Sequence, residues 1–518
     1  MNKLLYLIFV LVLCFDAQAQ QISYEDRIYT PCPQVVSNDI YVYNRVPALY
    51  PKETFSLLYV GSPKTWLGSK LWSEHLIILD TNNYTINSTT VTIDPAVDFR
   101  IGSEDGRYNY KNTRGYILNG LIGEKLSVRS EFYETQTTLP DYAAEWVDTM
   151  KFIPGMIRMK PFGTNGFDYG VVFSQIMWQP LKNYGMRLGY DRFHIGRGYR
   201  SMILSDASQA YPFLMNTFTH GKWSLSHNIA SLHNPDYNNR LNVPLSESGV
   251  YQQKWFSFTY LTYSPKSWLN LGLFESVMFM PADSTGISFY PMSMLPLPLV
   301  RTIAIESKGL HHAMIGLQAD ATWRKYFNFY SQIVVDELYL SKLKYQQGLQ
   351  GAVQLGLRYF RSSSYLFCEF NLATNNAYTS SHEWTSYTGN DQPLAHPTGQ
   401  QFNECVAGAH WQRHLFFADI MFNYIRAGAL PITDNYLRAD NYTNVLLTGF
   451  YEPISRPDRV MHLGCTVSYY INPVTNFVIF AGMHYRKYHS TLSVTPGNSL
   501  TYEIGIRHMI RKQYYDFF

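Results

Sequence analysis

From residue 115 onward the chain alternates apolar and polar positions almost without pause. Val353, Leu355, Leu357 and Tyr359 stand against Gln354, Gly356 and Arg358. Leu366, Cys368, Phe370 and Leu372 share one face, while Glu369 and Asn371 lie on the other. The same period recurs at 416–424, 463–471, 477–486 and 501–507. A repeat of two marks strands with one face in an apolar medium and the other on a polar or small-residue side. Carried through most of a chain, with Tyr359, Tyr424 and Tyr485 closing segments, it predicts a transmembrane antiparallel β-barrel. Lipid lies outside such a barrel and a polar lumen inside, with aromatic girdles at both rims. Leu355, Leu357, Ile420, Phe422, Val467 and Ile479 are expected to face lipid. Arg358, Glu369, Asp419, His484, Arg486, Glu503 and Arg507 are expected to face the lumen. A large soluble β-sandwich or propeller is the competing architecture, and no blade-length repeat supports the propeller.

The interruptions set the topology. Tyr263 to Trp268 separates two alternating stretches as a short turn would. The longer polar stretches 231–251, 374–403 and 431–458 read as long extracellular loops. Residues 281–310, with four prolines between Pro281 and Pro298, cannot run through a sheet interior and read as a loop or plug. Roughly 400 residues at about 20–24 per strand and connection give about 16–20 strands, an even number. Segment 20–114 lacks the pattern and is expected to form an N-terminal plug, partly helical, or a periplasmic-side segment. The barrel is then 115–518, with a short helix inserted near 140–153, opened by Asp141 and ended before Pro154. Tyr502, Ile504 and Ile506 form a last amphipathic strand, and the aromatic ending 514–518 is expected to serve the barrel insertion machinery.

The amino terminus sets the compartment. A basic start, the apolar run Leu4–Leu13 and Ala17-Gln18-Ala19 make residues 1–19 a signal peptide cleaved after Ala19. The run is too short to span a membrane as a helix. Bulky Leu13 before Cys14 argues against a lipoprotein signal. The expected location is therefore the cell outer membrane. Composition agrees: aromatic residues reach 16% and charged residues only 16% of the 518, against about 25% charged in soluble proteins. A net charge of +3 gives no polyanion-binding surface, so nucleic acid is not an expected partner. The mature cysteines Cys32, Cys368, Cys405 and Cys465 are too few for a disulfide framework and have no CxxC spacing. Cys368 and Cys465 fall on apolar strand faces and read as small buried hydrophobes.

One stretch concentrates charge and glycine. Asp191, Arg192, Arg197, Arg200 and Asp206 surround Gly196 and Gly198, followed by Tyr211-Pro212-Phe213. The glycines permit positive φ or close backbone approach. The stretch is expected to finish one strand, turn and begin the next, with Arg192, Arg200 and Asp206 pointing inward. Its charges serve a structural ion-pair network or a ligand-binding site. The core Gly196-Arg197-Gly198-Tyr199-Arg200-Ser201, with Leu204-Ser205-Asp206, resembles the Wzi-type capsule assembly proteins. It is similar also to the RemB-type motility surface proteins of gliding Bacteroidetes. The resemblance covers under a tenth of the chain. It implies a barrel of about 18 strands with a periplasmic-side helical part, acting as a lectin that holds exopolysaccharide at the cell surface. Ile195 stands where that pattern often has Trp.

Enzyme signatures are poor. GxSxG, HExxH and GxxxxGK[ST] are absent. His220, His227 and His233 lie near Ser224, Ser226 and Asp236, and His311-His312 form an isolated pair. No catalytic residue, metal site or cofactor is assigned. The sequence reading is thus a non-enzymatic barrel for capsule attachment or gliding motility, with outer-membrane lipid, surface polysaccharide and the insertion machinery as partners. A channel or uptake barrel for a small solute is the alternative.

Overall fold

A computed structural model describes residues 77–80, 89–234, 252–279, 295–298, 311–338, 349–380, 385–428, 458–489 and 497–517, except positions 124, 325, 362–363, 391, 474, 509 and 512. The expected signal peptide, the segment 20–76 and most of the stretches 235–251, 281–310 and 431–458 lie outside the described residues. The main sheet has twenty strands. Two are short, Ile77–Asp80 and Lys160–Phe162, and the other eighteen form a closed antiparallel barrel wall. Closure runs between Thr89–Glu104 and Asn498–His508, from Val97 opposite His508 to Glu104 opposite Thr501. Where the last strand stops, Ile77–Asp80 continues the seam by pairing with Thr90–Ile93. Both Thr89–Glu104 and Arg107–Ile122 are wall strands, so the barrel starts ahead of residue 115, where the alternation first becomes regular in sequence.

The two faces separate as the period of two requires. Leu355, Val467 and Ile479 are 55%, 52% and 42% exposed on the outside, whereas Glu369 and Arg486 are buried inside. Ile420 and Phe422 also point outward, and Arg507 inward. Cys368 and Cys405 are exposed on the outer face, a correction to the expected burial of Cys368. The apolar surroundings inferred for it are lipid rather than protein.

The connections segregate by length. Two-residue links at 182–183, 221–222, 267–268 and 414–415 share one end of the barrel. The connections 138–165, 192–210, 235–251, 280–310, 374–401 and 428–457 share the other, with the tight turn at 105–106. Outer-membrane barrels keep short turns on the periplasmic side and long loops outside. Around the short-turn end, aromatic side chains pair on the outer surface. Trp223 stacks on Tyr263 at 4.2 Å, Phe416 meets Tyr469 at 4.7 Å and Trp323 meets Phe327 at 5.7 Å. This is the girdle that amphipathic rings form at a headgroup layer.

A ten-residue helix, Asp141–Met150, follows Pro140 and ends at Lys151, whose φ of 63° lets its N–H reach the Val147 carbonyl at 2.8 Å. Ala143, Trp146 and Val147 are buried. This is the helix expected near 140–153, and it sits at the end carrying the long connections, between the wall strands Leu126–Thr137 and Gly166–Leu181.

Candidate functional site

The lumen is where the sequence places its most specific side chains. Strand Tyr184–Asp191 and strand Tyr211–His220 are neighbours, with Asp191 opposite Tyr211. The nineteen residues between them therefore need not travel, yet they cross the lumen and touch the far wall. The expected strand–turn–strand is corrected to an inward-folded connection. Its backbone is far from any ladder, so wall side chains satisfy it. Tyr199 N and Arg200 N donate to the two Glu369 carboxylate oxygens at 2.7 and 3.0 Å. Gln332 accepts from Met202 N and donates to the Ile195 carbonyl, both at 2.7 Å, and Gln354 donates to the Arg200 carbonyl at 2.9 Å. Inward Gln and Glu residues on successive strands supply the partners that a buried non-helical backbone requires. Gly196 has φ +105°, and a Cβ there would stand 2.2 Å from the Gln332 amide nitrogen.

The five charged candidates are all in or beside this crossing, and their side chains take partners from other elements as well as from the crossing itself. Arg200, 1% exposed, donates through Nε and Nη2 to Glu404 at 3.2 and 3.1 Å and bridges to Asp516 at 3.1 Å. Burial pulls its guanidinium pKa down, but Asp516 and Glu404 outweigh burial and hold it well above the ordinary range. Arg192 donates to the carbonyls of Gly155 at 2.7 Å and Ser208 at 3.1 Å. Arg197 pairs with Asp320 at 2.9 Å. Asp191 receives Arg511 at 2.5 Å, and Asp206 meets His194 at 3.1 Å and the Tyr514 hydroxyl at 3.2 Å. Glu369, Glu404, Gln332, Gln354, Arg511 and Asp516 are the partners that sequence reasoning did not find. Most stand more than a hundred residues from the residue they hold; of them, Glu369 alone stood among the residues expected to face the lumen.

Two further segments fill the lumen. Most described residues of 374–400 are buried, a correction to the expected extracellular loop. Tyr378 and Tyr387 donate to the carbonyls of Met202 and Ile203 at 2.7 and 2.9 Å, and Ser205 N donates to the Leu394 carbonyl at 2.7 Å. Lys254 reaches in from the wall to the Ser386 carbonyl at 2.9 Å. His396 is fully buried; its Nδ1 accepts the Thr398 N–H at 3.1 Å, so Nε2 carries the proton and donates to Glu404 at 2.6 Å. Burial lowers the His396 pKa, with Glu404 opposing. His312, on the wall, faces Asp336 through Nε2 and the Thr385 carbonyl through Nδ1.

The third segment follows the last strand. The aromatic ending leaves the wall after the last strand: Tyr514 and Phe517 are buried within the lumen. Arg511 spans Glu131 at 2.7 Å and Asp191, and Asn423 donates to the Asp516 carbonyl at 2.9 Å. In the histidine–serine neighbourhood at 220–233, His227 bonds the Thr259 hydroxyl at 3.0 Å. Among the described residues no group of three or more His, Cys, Asp or Glu is placed to hold a metal ion.

Between these segments and the wall remains a cavity of about 420 Å³. Arg358, Tyr365, Phe367, His410 and Asp419 line it near the short turns, and Arg100, Tyr142 and Thr137 toward the long connections. The tail and Arg197–Tyr199 form its inner side.

No protein-family model matches the chain, and no curated protein matches it. Among solved structures it is similar to Wzi from Escherichia coli, described as an outer-membrane protein involved in group 1 capsule assembly and a carbohydrate-binding β-barrel. The identity is 13%, the match covers 81% of this chain and 85% of that one, and the TM-score is 0.49. It is similar also to the outer-membrane protein OprD of Pseudomonas aeruginosa, at 9% identity over 80% and 93% of the two chains with a TM-score of 0.41. OccK7 of the same organism matches at 8% identity over 81% and 98%, with a TM-score of 0.44.

Proposed function

We propose that this chain is a non-enzymatic outer-membrane barrel that attaches exopolysaccharide to the cell surface, in capsule assembly or in gliding motility. The observation that carries this reading is the filling of the lumen. Three chain segments meet inside the wall, and their buried charges find partners both on the wall, as Arg197 with Asp320 and Arg511 with Glu131, and on one another, as Arg200 with Asp516 and Asp206 with His194. Opening a path for solute would break ion pairs in a low-dielectric interior, which is costly. A fixed interior suits a protein that presents a surface rather than one that passes cargo. In this reading Asp191, Arg192, Arg200 and Asp206 are braces that set the shape of the surface, and Arg197 is the member that reaches the cavity. The cleaved signal peptide 1–19 and recognition by the barrel insertion machinery belong to the same proposal.

The cavity favours the second reading, an uptake barrel for a small solute. Two assays separate them. A deletion strain complemented with the chain should retain surface polysaccharide that the deletion releases, and liposomes carrying the purified protein should pass no small sugars. Sugar flux with no change in retention would reverse the order of the two readings.

A further inference from the structure

Four consecutive wall strands, Leu349–Arg361, Ser364–Ala373, Phe402–Arg413 and Phe416–Ala427, bring a second set of side chains together near the short turns. Register places Arg358 opposite Phe367, Tyr365 opposite His410, and His410 opposite Asp419. The Arg358 guanidinium lies 5.7 Å from the Tyr365 ring, 5.8 Å from Phe360 and 5.9 Å from Phe367. Its Nη2 donates to the Arg197 carbonyl at 2.7 Å, while its Nε is buried without a protein partner. His410, with a side chain only 4% exposed, holds Asp419 at 2.7 Å through Nδ1, and its Nε2 is likewise buried without a protein partner. Both residues line the cavity.

A buried polar atom left open costs free energy until something meets it. The two open atoms differ in kind. Arg358 offers a guanidinium edge, whose flat fork suits a carboxylate. Asp419 accepts the Nδ1 proton of His410 and so leaves Nε2 as an acceptor in the neutral ring, suited to a hydroxyl. The rings between them are suited to carbon faces rather than to a bare ion. We propose that this hollow binds a hydroxylated carboxylate, the chemistry of a single acidic sugar unit, with Arg358 on the carboxylate and His410 on a hydroxyl. The site lies toward the short turns, the opposite end from the long connections, and it does not depend on the polysaccharide reading.

The test is calorimetric titration of the full-length protein in detergent with glucuronate, glucose and acetate. Glucuronate should bind saturably, and glucose and acetate should each bind about tenfold or more weakly, since each lacks one half of the recognised chemistry. Arg358→Gln should abolish the preference for glucuronate over glucose, and His410→Leu should weaken both sugars. Arg486→Gln, at the far end, should change neither. Heat-modifiable gel mobility reports whether each variant is folded. Should Arg358→Gln fail to fold, Arg358→Lys, which keeps the charge without the fork, should reduce the same preference. No saturable binding of glucuronate by the folded wild type, equal binding of glucose, or an unchanged preference in the folded Arg358 variant would overturn the proposal. Polysaccharide retention is scored separately, so either idea can fail alone.

Discussion

The outer face and the lumen are made by the same strands, and they obey different rules. On the outer face Leu355, Val467 and Ile479 need only be apolar, because lipid has no shape to match. Inside, Glu404 alone meets Arg200, His396, Asn371 and Asn423 at 2.6–3.1 Å, and each partner has to be of one chemical kind. The outer face is thus a tolerant solvent boundary and the lumen an intolerant network. The difference predicts where substitutions hurt.

The largest effect is expected inside. Glu404→Ala leaves the Arg200 guanidinium short of one of its two carboxylates in a buried site, and breaking such a pair costs about 3–5 kcal/mol. Heat-modifiable mobility should shift to much lower temperature, while Asp98, far along the wall and paired with Arg100 and Lys111, should keep its neighbours. On the outer face Leu355→Arg places a charge in the lipid belt and should cost about 2–4 kcal/mol by equilibrium refolding in lipid. If Leu355→Arg proves the more damaging of the two, the contrast between faces is wrong.

Acid should act through the lumen as well. His396 has a pKa lowered from the ordinary 6.5 in the folded barrel, chiefly by burial, so the unfolded chain takes up its proton first. Its contribution to stability is present above pH 6.5 and is lost as the pH falls below that value toward the folded pKa. Thermal unfolding at pH 7.5 and 5.5 should show this loss, and His396→Gln should shrink the difference. The smallest effect belongs to Arg107 and Asp141, a pair at the start of a wall strand and of the helix, at the long-connection end, with side chains 62% and 67% exposed. Arg107→Ala should change stability by less than about 1 kcal/mol, because water-exposed pairs gain little.

The same contrast explains what could be read from sequence. Strand segments such as 353–359 and 366–372 were legible because a period of two is a local signal that needs no knowledge of the partner. The lumen-filling segments were not. Residues 374–401 and 192–210 carry the polar, glycine-containing composition of surface loops, since the lumen asks for hydrogen-bonding groups just as water does. From sequence, the carboxylates in view for Arg200 were Asp191 and Asp206, its neighbours along the chain. The fold instead gives Arg200 to Glu404, 204 residues away, and to Asp516. The inward direction of Arg192 and Arg200 was readable; their partners depend on closure of the barrel. The last strand, Asn498–His508, was legible from its alternation, whereas the packing of Tyr514 and Phe517 inside the lumen was not, because an aromatic ending carries no local signal of where it packs.

The central claim is that braced segments close the lumen, and single-channel recording in planar bilayers tests it most directly. The account predicts that the wild-type protein carries no steady ionic current, and that Arg200→Ala, which frees Glu404 and Asp516 together, produces openings in barrels that remain folded. A steady, porin-like conductance in the wild type, unchanged in Arg200→Ala, would contradict it.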